Sequence, residues 1–185
     1  MSATREHLVS SMKTLLWERG YDATSPNLVL EHSHIGKGSL YHHFRSKKAL
    51  AIAAMEARTD ELIAEFDEIF SSTLPWVVKL EQYFSIRKDT TKGCKIGRIV
   101  SDPSMDDDLL EPSKRYFLHV ANGIEKTLIQ AQQKGELSEI QDLQSIALAA
   151  VSLIQGGFIV SKSLDEKRVL TAATKGFMEL LRLRK

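Results

Sequence analysis

The chain has 185 residues, of which 43% are hydrophobic and 26% are charged, with a formal net charge of +1. This length and composition predict one domain, or a small domain joined to a larger one, with its own hydrophobic core, and they exclude a disordered chain. The single cysteine, Cys94, excludes an internal disulfide framework and is typical of a reducing compartment.

The sequence also carries little sign of secretion or membrane insertion. The N-terminal residues, MSATREHLVSSMK, lack the apolar stretch of a signal peptide. The most apolar segment, residues 143–160, is interrupted by polar side chains, which favours a helix buried in a core or a subunit interface. These polar side chains are Gln144, Ser145, Ser152 and Gln155. We therefore expect a soluble cytoplasmic protein.

Positive charge is concentrated near the N-terminus. Residues 1–50 contain seven Lys or Arg and four Asp or Glu, whereas the rest of the chain contains 18 and 20. No acidic residue lies between Glu31 and Glu56, an interval that holds four basic residues and four histidines. A basic segment in a near-neutral chain is expected at a nucleic-acid contact, although a solvated surface can have the same composition.

Helical signals begin at the N-terminus. Apolar residues at helical spacing indicate a first helix that ends at Gly20. Thr24 or Ser25 can cap a second helix of about two turns, with Pro26 in its first turn. A third short helix is expected from about residue 37 to residue 44.

The rest of the chain also has helical spacing. Ser46 can cap a longer fourth helix, and Pro75 begins a fifth. The segments TKGCKIG and SDPSMDDDLLEP are predicted breaks, and the second precedes a long helix that ends at Gly135. Two more helices are expected at about 143–161 and 165–183. Because no segment alternates with the period of a half-buried strand, the predicted fold class is all-α, with about nine helices.

Residues 34–44, HIGKGSLYHHF, contain the residue types of a catalytic or phosphate-binding site. They do not match a P-loop, since Glu31 stands at the first glycine position and Gly38 where Ser or Thr is needed. They do not match a nucleophile elbow either, because Ser39 lacks correctly spaced glycines. One Glu-x-x-His pair, Glu31 and His34, has no second copy to complete a di-metal site. We therefore expect no catalysis, metal or cofactor.

A helix-turn-helix motif at about residues 25–44 explains the same segment better. Two short helices joined by a tight turn form this motif, and the first turn of the second helix enters the major groove. That turn contains Gly36, Lys37, Gly38 and Ser39. A glycine inside a short helix costs about 1 kcal/mol relative to alanine, and Gly38 is explained if the backbone approaches DNA closely.

Several side chains around this turn can donate to phosphates or bases, as can the amides of the helix N-terminus. The candidate DNA-binding residues are Thr24, Ser25, Gly36, Lys37, Gly38, Ser39, Tyr41, His42, Lys47 and Lys48. Leu40 and Phe44 are expected to face inward, onto Leu8, Met12 and Val29. Structural roles remain open for some of the candidates, since Thr24 and Ser25 are helix caps in any case.

The residues GYDATS, followed by IGKGSLYHHFRSKKAL, resemble the DNA-binding region of TetR-family transcriptional regulators over about residues 5–55. Relatives typically have G-V-S-[KR]-G-[ST]-L-Y-x-[HY]-F-x-[SN]-K-x-x-L at this spacing. The resemblance implies phosphate contacts from Thr24 or Ser25, Tyr41, His42 and Lys47 or Lys48, and recognition-helix contacts from Gly36, Lys37, Gly38 and Ser39. His34 replaces the usual turn glycine, and Gly36 replaces the serine that opens the recognition helix.

The resemblance also implies a helix-turn-helix DNA-binding domain at residues 1–48 and a ligand-binding and dimerisation domain at residues 49–185. Family members pair through their last two helices in a four-helix bundle. The candidate interface residues here are Ala150, Ile154, Phe158, Phe177 and Leu181. The candidate pocket residues are Trp76, Tyr83, Phe84, Cys94, Phe117 and Phe158, although helical spacing favours ordinary core for the aromatic ones.

The segment around Cys94, KGCKIGRI, resembles a G-C-x-[IL]-G segment found in one subset of the family. A cysteine acts as a redox or electrophile sensor only if it is exposed and its pKa is lowered. A buried or inert thiol is the simpler interpretation.

The sequence thus predicts a ligand-responsive repressor that binds a palindromic operator as a homodimer and is released by a small-molecule effector. Two alternatives stay open. One is a helical enzyme or small-molecule-binding protein that uses a C-terminal cavity, and the other is a helical adaptor that binds protein through its basic head. Salt-dependent, sequence-selective DNA binding separates the repressor from both.

Overall fold

The computed structural model describes residues 2–85 and 93–182. Within these ranges the chain forms nine helices and no strand, so the predicted all-α class is confirmed. The helices are α1 (Ala3–Arg19), α2 (Pro26–Ser33), α3 (Lys37–His43), α4 (Lys47–Phe70), α5 (Trp76–Ser85), α6 (Gly97–Val100), α7 (Asp107–Gln133), α8 (Leu143–Leu164) and α9 (Arg168–Arg182).

The chain divides into two compact units. The first contains Met1–Leu62 and Lys95–Arg115, and the second contains Ile63–Cys94 and Tyr116–Lys185. Helices α4 and α7 contribute residues to both units. This is a division by packing, and the functional boundary expected at residue 48 stays a prediction.

Helix α1 is the centre of the first unit and packs against α2, α3 and α6. Its residues Leu8 and Met12 are completely buried. Val29 of α2, Leu40 of α3 and Phe44 are also buried. Leu40 and Phe44 therefore face inward, as their spacing predicted, and the opposite side of α3 faces solvent.

The glycine stop signals in the sequence mark real helix ends. Gly20 follows α1 with a φ of +85°, and its amide donates to the carbonyl of Leu16 at 3.0 Å. Gly135 follows α7 with a φ of +73°, and the next amide, of Glu136, donates to the carbonyl of Ala131 at 2.9 Å. Glycine suits both turns because it adopts positive φ without a Cβ clash.

The segment SDPSMDDDLLEP was predicted to be a break, but only its first part is one. Helix α7 begins inside it at Asp107, because the carboxylate of Asp106 caps the amide of Leu109 at 3.2 Å. Pro112 lies within the helix. The four-residue helix α6 is also absent from the prediction, since it is too short to show a hydrophobic period.

The second unit has an aromatic core. The rings of Phe66 and Phe70 stack with centroids 4.0 Å apart, and Tyr83 meets Phe66 edge to face at 5.1 Å. The hydroxyls of Tyr83 and Tyr116 lie 2.9 Å apart and are buried. A Cβ on Gly123 would overlap the Phe66 ring, so this glycine allows α7 to lie close to that ring.

Helix α8 is long and apolar enough to cross a membrane by length and composition alone, with a mean hydropathy of 1.8. It packs against α9, and its residues Ala147, Ala150 and Ile154 are buried. A core helix of a helical domain has the same properties, so this segment is not by itself evidence of a membrane span.

Candidate nucleic-acid interface

Helix α2 begins at Pro26, directly after its capping residue Ser25. The Oγ atom of Ser25 accepts a hydrogen bond from the amide of Leu28 at 3.1 Å, and Pro26 occupies the first helical position. The missing amide of proline does no harm there, because that group has no acceptor inside a helix. Ser25 is exposed, so the residue that caps α2 also faces solvent at the entrance to the motif.

Thr24 lies differently from the expectation that it contacts phosphate. Its side chain is completely buried, and its hydroxyl donates to the carbonyl of Gly20 at 2.7 Å. The hydroxyl thus closes the turn between α1 and α2 from the inside. Because it does not reach the surface, of the two candidate residues only Ser25 is placed for an external contact.

The turn between α2 and α3 uses a histidine in an unusual conformation. His34 has φ 55° and ψ 30°, the left-handed region that a glycine would otherwise supply. Gly36 then acts as the N-cap of α3, with φ −70° and no side-chain cap bond. The two departures from the family pattern are therefore compatible with an intact turn.

The outward face of α3 is exposed and made of small and polar residues. Lys37, Gly38 and Ser39 are all exposed, and Tyr41 is 49% exposed. A Cβ added at Gly36 or Gly38 would meet no atom within 4 Å. The packing of the protein itself therefore does not require these glycines, and the first turn of α3 leaves room for an external partner.

Cations and a capped helix continue this surface beyond α3. Ser46 caps α4 by accepting the amide of Ala49 at 3.0 Å. The ammonium of Lys47 lies 4.0 Å from the ring centroid of Tyr21, which fixes its position through a cation–π contact. His42 is exposed, and its ring meets that of His43 edge to face at 5.0 Å.

Lys48 has acidic partners that the sequence reading missed. Its Nζ atom lies 2.8 Å from Oδ2 of Asp106 and 2.5 Å from Oδ2 of Asp108. The hydrogen bonds to Asp106 and then Asp108 raise the pKa of Lys48, and the bond from Lys48 lowers the pKa of Asp106. Neighbouring sequence offered no signal for these pairs, because some sixty residues separate the partners.

Asp102 connects the end of α1 to the segment that follows α6. Its Oδ2 atom accepts the amide of Tyr21 at 2.7 Å, and its Oδ1 atom accepts the hydroxyl of Ser104 at 2.5 Å. Burial raises the pKa of Asp102, but the bonds from Ser104 and the amides of Tyr21 and Asp22 outweigh it, so the pKa lies below its usual value. Arg98 adds a bond to the carbonyl of Glu18 at 3.0 Å.

The candidate pocket residues belong mostly to the core of the second unit. Trp76, Tyr83, Phe84 and Phe158 are buried, whereas Phe117 and Cys94 are half-buried. Two surface clefts include members of this set. A cleft of about 150 Å³ contains Trp76, and a cleft of about 280 Å³ between α5 and α9 contains Phe84. The second is walled by Phe84 and Met178, with charged groups of Glu81, Lys175 and Arg182 among its lining.

Most of the candidate dimer residues are buried within the single chain. Ala150, Ile154, Phe158 and Leu181 are at most 5% exposed within the single chain, and Phe177 is half-buried. The four buried side chains pack inside their own subunit, and an interface built on these five residues stays a prediction. The apolar side chains that α8 and α9 leave exposed are instead Leu148, Ile159, Val160, Leu164 and Leu180.

No metal centre is found in the described part of the chain. Among residues 2–85 and 93–182, no group of three or more His, Cys, Asp and Glu residues is arranged to hold a metal ion.

Comparison with known proteins assigns the N-terminal region to a family. The family model for bacterial regulatory proteins of the tetR family matches residues 9–54, which include α2, α3 and the start of α4. The Escherichia coli repressor NemR is 40% identical over 53 residues, which cover 29% of this chain and 27% of that protein.

Similarity to regulators also extends over most of the chain. An HTH-type transcriptional regulator from the lacX 3′ region of Lactococcus lactis is 26% identical over 183 residues, covering 90% of this chain and 87% of that protein. The repressor DhaR from Mycobacterium sp. GP1 is 28% identical over 141 residues, covering 72% and 69%. The crystal structure of reduced E. coli NemR shares the fold, with a TM-score of 0.87, 20% identity and 95% coverage of both chains.

Proposed function

Because the chain belongs to the TetR family of transcriptional regulators, we propose that it is a repressor that binds a DNA operator as a homodimer and is released by a small-molecule effector. The first turn of α3 enters the major groove, and α2 and the start of α4 lie along the sugar–phosphate backbone. Similar proteins that are named repressors, such as DhaR and NemR, support this direction of regulation.

The observation that carries the proposal is the open first turn of α3. Lys37 and Ser39 are exposed donors on either side of Gly38, and nothing in the protein occupies the space next to that glycine. The first amides of a helix have no intrahelical acceptor and form a favourable site for anions. A DNA base edge or phosphate placed here meets hydrogen-bond donors from both side chains and backbone. Because residue 38 is glycine, no Cβ keeps the DNA away from the backbone.

Backbone contacts are proposed around this turn. Ser25, Tyr41, His42 and Lys47 surround it as donors to phosphate oxygens. Lys48 is held by two carboxylates in this structure, so its contact with DNA requires that ion pair to open.

Dimerisation is proposed through the outward faces of α8 and α9. Leu148 and Ile159 are eleven residues apart and therefore lie on one side of α8, and they are 49% and 70% exposed. Leu180 adds an apolar side chain on α9 that is 66% exposed. Helices α8 and α9 pack against each other, and large exposed apolar residues on neighbouring helices suit a surface that another protein covers. A two-fold dimer presents two copies of α3, which suit a palindromic operator.

The effector is proposed to bind in the second unit. The cleft between α5 and α9 has a volume of about 280 Å³, close to the lower end of the usual range for ligand sites. Its buried walls, Phe84 and Met178, suit an apolar group, and Lys175 suits a negative charge. An effector that binds more tightly to a form unable to contact DNA lowers the DNA-bound population in proportion to that difference in affinity.

The experiment is selection of genomic DNA. Sheared DNA of the source organism is incubated at near-physiological salt with the wild-type protein and, in parallel, with a Lys37→Ala, Tyr41→Ala variant. The proposal predicts that the wild type alone enriches one or a few palindromic sites. If the two proteins recover the same fragments, α3 is not the recognition helix, and the proposal fails.

A further inference from the structure

The ion pairs of Lys48 place two carboxylates at the edge of the proposed DNA surface. Lys48 is the second residue of α4, directly after Lys47 and the capping residue Ser46. Asp106 and Asp108 precede and begin α7, and all three charged residues belong to the first compact unit. A cation that the proposed function directs towards a phosphate is therefore held by acids of the same chain.

The acids are held in position by the structure around them. Asp106 accepts the amide of Leu109 through Oδ1 at 3.2 Å, while its Oδ2 atom contacts Lys48. Four residues earlier, Asp102 is bonded to the amide of Tyr21, next to the ring on which Lys47 lies. Residues 102–108, here termed the acidic segment, are thus tied to the start of α4 and to the turn that leads into α2.

A carboxylate oxygen and a phosphate oxygen are equivalent partners for an ammonium group, since both are anionic acceptors of charge-assisted hydrogen bonds. The side chains of Lys48, Asp106 and Asp108 are 37%, 53% and 70% exposed, so both ion pairs are at the surface. Surface ion pairs are weak, because water screens both charges. The pairs are therefore weak enough to exchange for a phosphate, yet they lower the gain from doing so.

We propose that Asp106 and Asp108 compete with DNA phosphate for Lys48, so that the acidic segment is an internal competitor that lowers operator affinity. This inference rests on the proposed DNA-binding function. Removal of the two carboxylates frees Lys48 for the DNA backbone. Their presence keeps the charged ammonium paired with acids of the same protein. Any change that moves the acidic segment away from Lys48 strengthens binding in the same way.

The test is a thermodynamic cycle on operator binding. An Asp106→Asn, Asp108→Asn variant is expected to bind about 3- to 10-fold more tightly than wild type, from two surface pairs. Asparagine keeps the capping function at residue 106, since Asn and Asp cap helices about equally well. The slope of log K against log salt is expected to become more negative by about 0.9, which corresponds to one additional phosphate contact.

Two controls separate competition from a general loss of negative charge. Asp107→Asn removes one adjacent exposed charge that has no contact with Lys48 in this structure, and it is expected to change affinity much less. In a Lys48→Ala background the two Asp→Asn changes are expected to have no further effect. Circular dichroism confirms that every variant keeps its helix content.

The outcomes are decisive for each claim separately. An increase in operator affinity that occurs only when Lys48 is present supports internal competition. If affinity is unchanged, or if the gain persists in the Lys48→Ala background, the competition does not exist, even though the wild type binds its operator. If the wild type binds no DNA selectively, the proposed function itself fails, and the inference fails with it.

Discussion

The backbone amide of Tyr21 donates a 2.7 Å hydrogen bond to the carboxylate of Asp102, which lies 81 positions further along the chain. Tyr21 belongs to the turn that joins α1 to α2, and Asp102 follows the short helix α6. A negative group from one segment therefore satisfies the backbone of another, and it fixes the turn that leads into the helix-turn-helix motif.

Replacement of Asp102 by Asn is expected to destabilise the protein at neutral pH by about 1–3 kcal/mol, because charge-assisted bonds to backbone amides are lost. The pKa of Asp102 is lowered in the folded protein, so its contribution is present above the unfolded value of about 3.9 and is lost as the pH falls through the folded pKa. Urea unfolding at pH 7 and at a series of lower pH values measures this. The difference in stability between the two proteins should shrink as the pH falls below the unfolded value, and a constant difference would contradict the assignment.

Gly20→Ala is expected to be more harmful than an ordinary glycine substitution. Gly20 has φ +85° and ψ 177°, a region in which a side chain costs about 1–3 kcal/mol. A Cβ there would also lie 2.7 Å from Oδ2 of Asp102. Gly135→Ala is the matched control, since Gly135 has φ +73° but open space around it. If the two variants lose the same thermal stability, the clash with Asp102 does not contribute to the cost of Gly20→Ala.

Gly38→Ala separates the needs of folding from those of DNA binding. A helical glycine with open space around it should tolerate alanine, and stability should stay the same or rise by up to about 1 kcal/mol. If DNA occupies that space, operator affinity should fall by about 1–3 kcal/mol. Thermal melting and fluorescence anisotropy measure the two quantities. Unchanged affinity would mean that no partner approaches the first turn of α3 closely.

Ile159→Glu is expected to convert the dimer to monomer, because it places a charge in the centre of the proposed apolar interface. Leu118→Glu on α7 is the control, since Leu118 is 52% exposed but lies outside that surface. Analytical ultracentrifugation should find monomers for the first variant and dimers for the second. Dimers in both cases would move the interface away from the outward face of α8.

Local signals in the sequence located the DNA-binding helices well. Ser25, Pro26, Gly20 and Ser46 act within a few residues of their own position, so their roles as caps and stops could be predicted from neighbouring sequence. His34 has a positive φ at the position where relatives usually have a glycine, so the resemblance rather than a local signal marked this turn. The helix caps and stops of the motif are thus encoded locally.

Contacts between distant segments could not be predicted in the same way. The partners of Lys48 lie in a segment that proline and acidic residues mark as a break, although the cap at Asp106 starts a helix there. Periodicity has a related limit on α8, which is apolar on more than one side. The spacing of apolar residues alone does not distinguish the buried side with Ala150 and Ile154 from the exposed side that carries Ile159.

Operator affinity measured as a function of salt shows whether the exposed face of α3 reads DNA. Wild type, Lys37→Ala and Tyr41→Ala are titrated onto a selected site and onto a scrambled sequence. If α3 reads DNA, the wild type is expected to bind the selected site more tightly than the scrambled one, log K is expected to fall linearly with log salt, and both variants are expected to bind more weakly. Equal affinity for the two sequences, or variants indistinguishable from wild type, would contradict it.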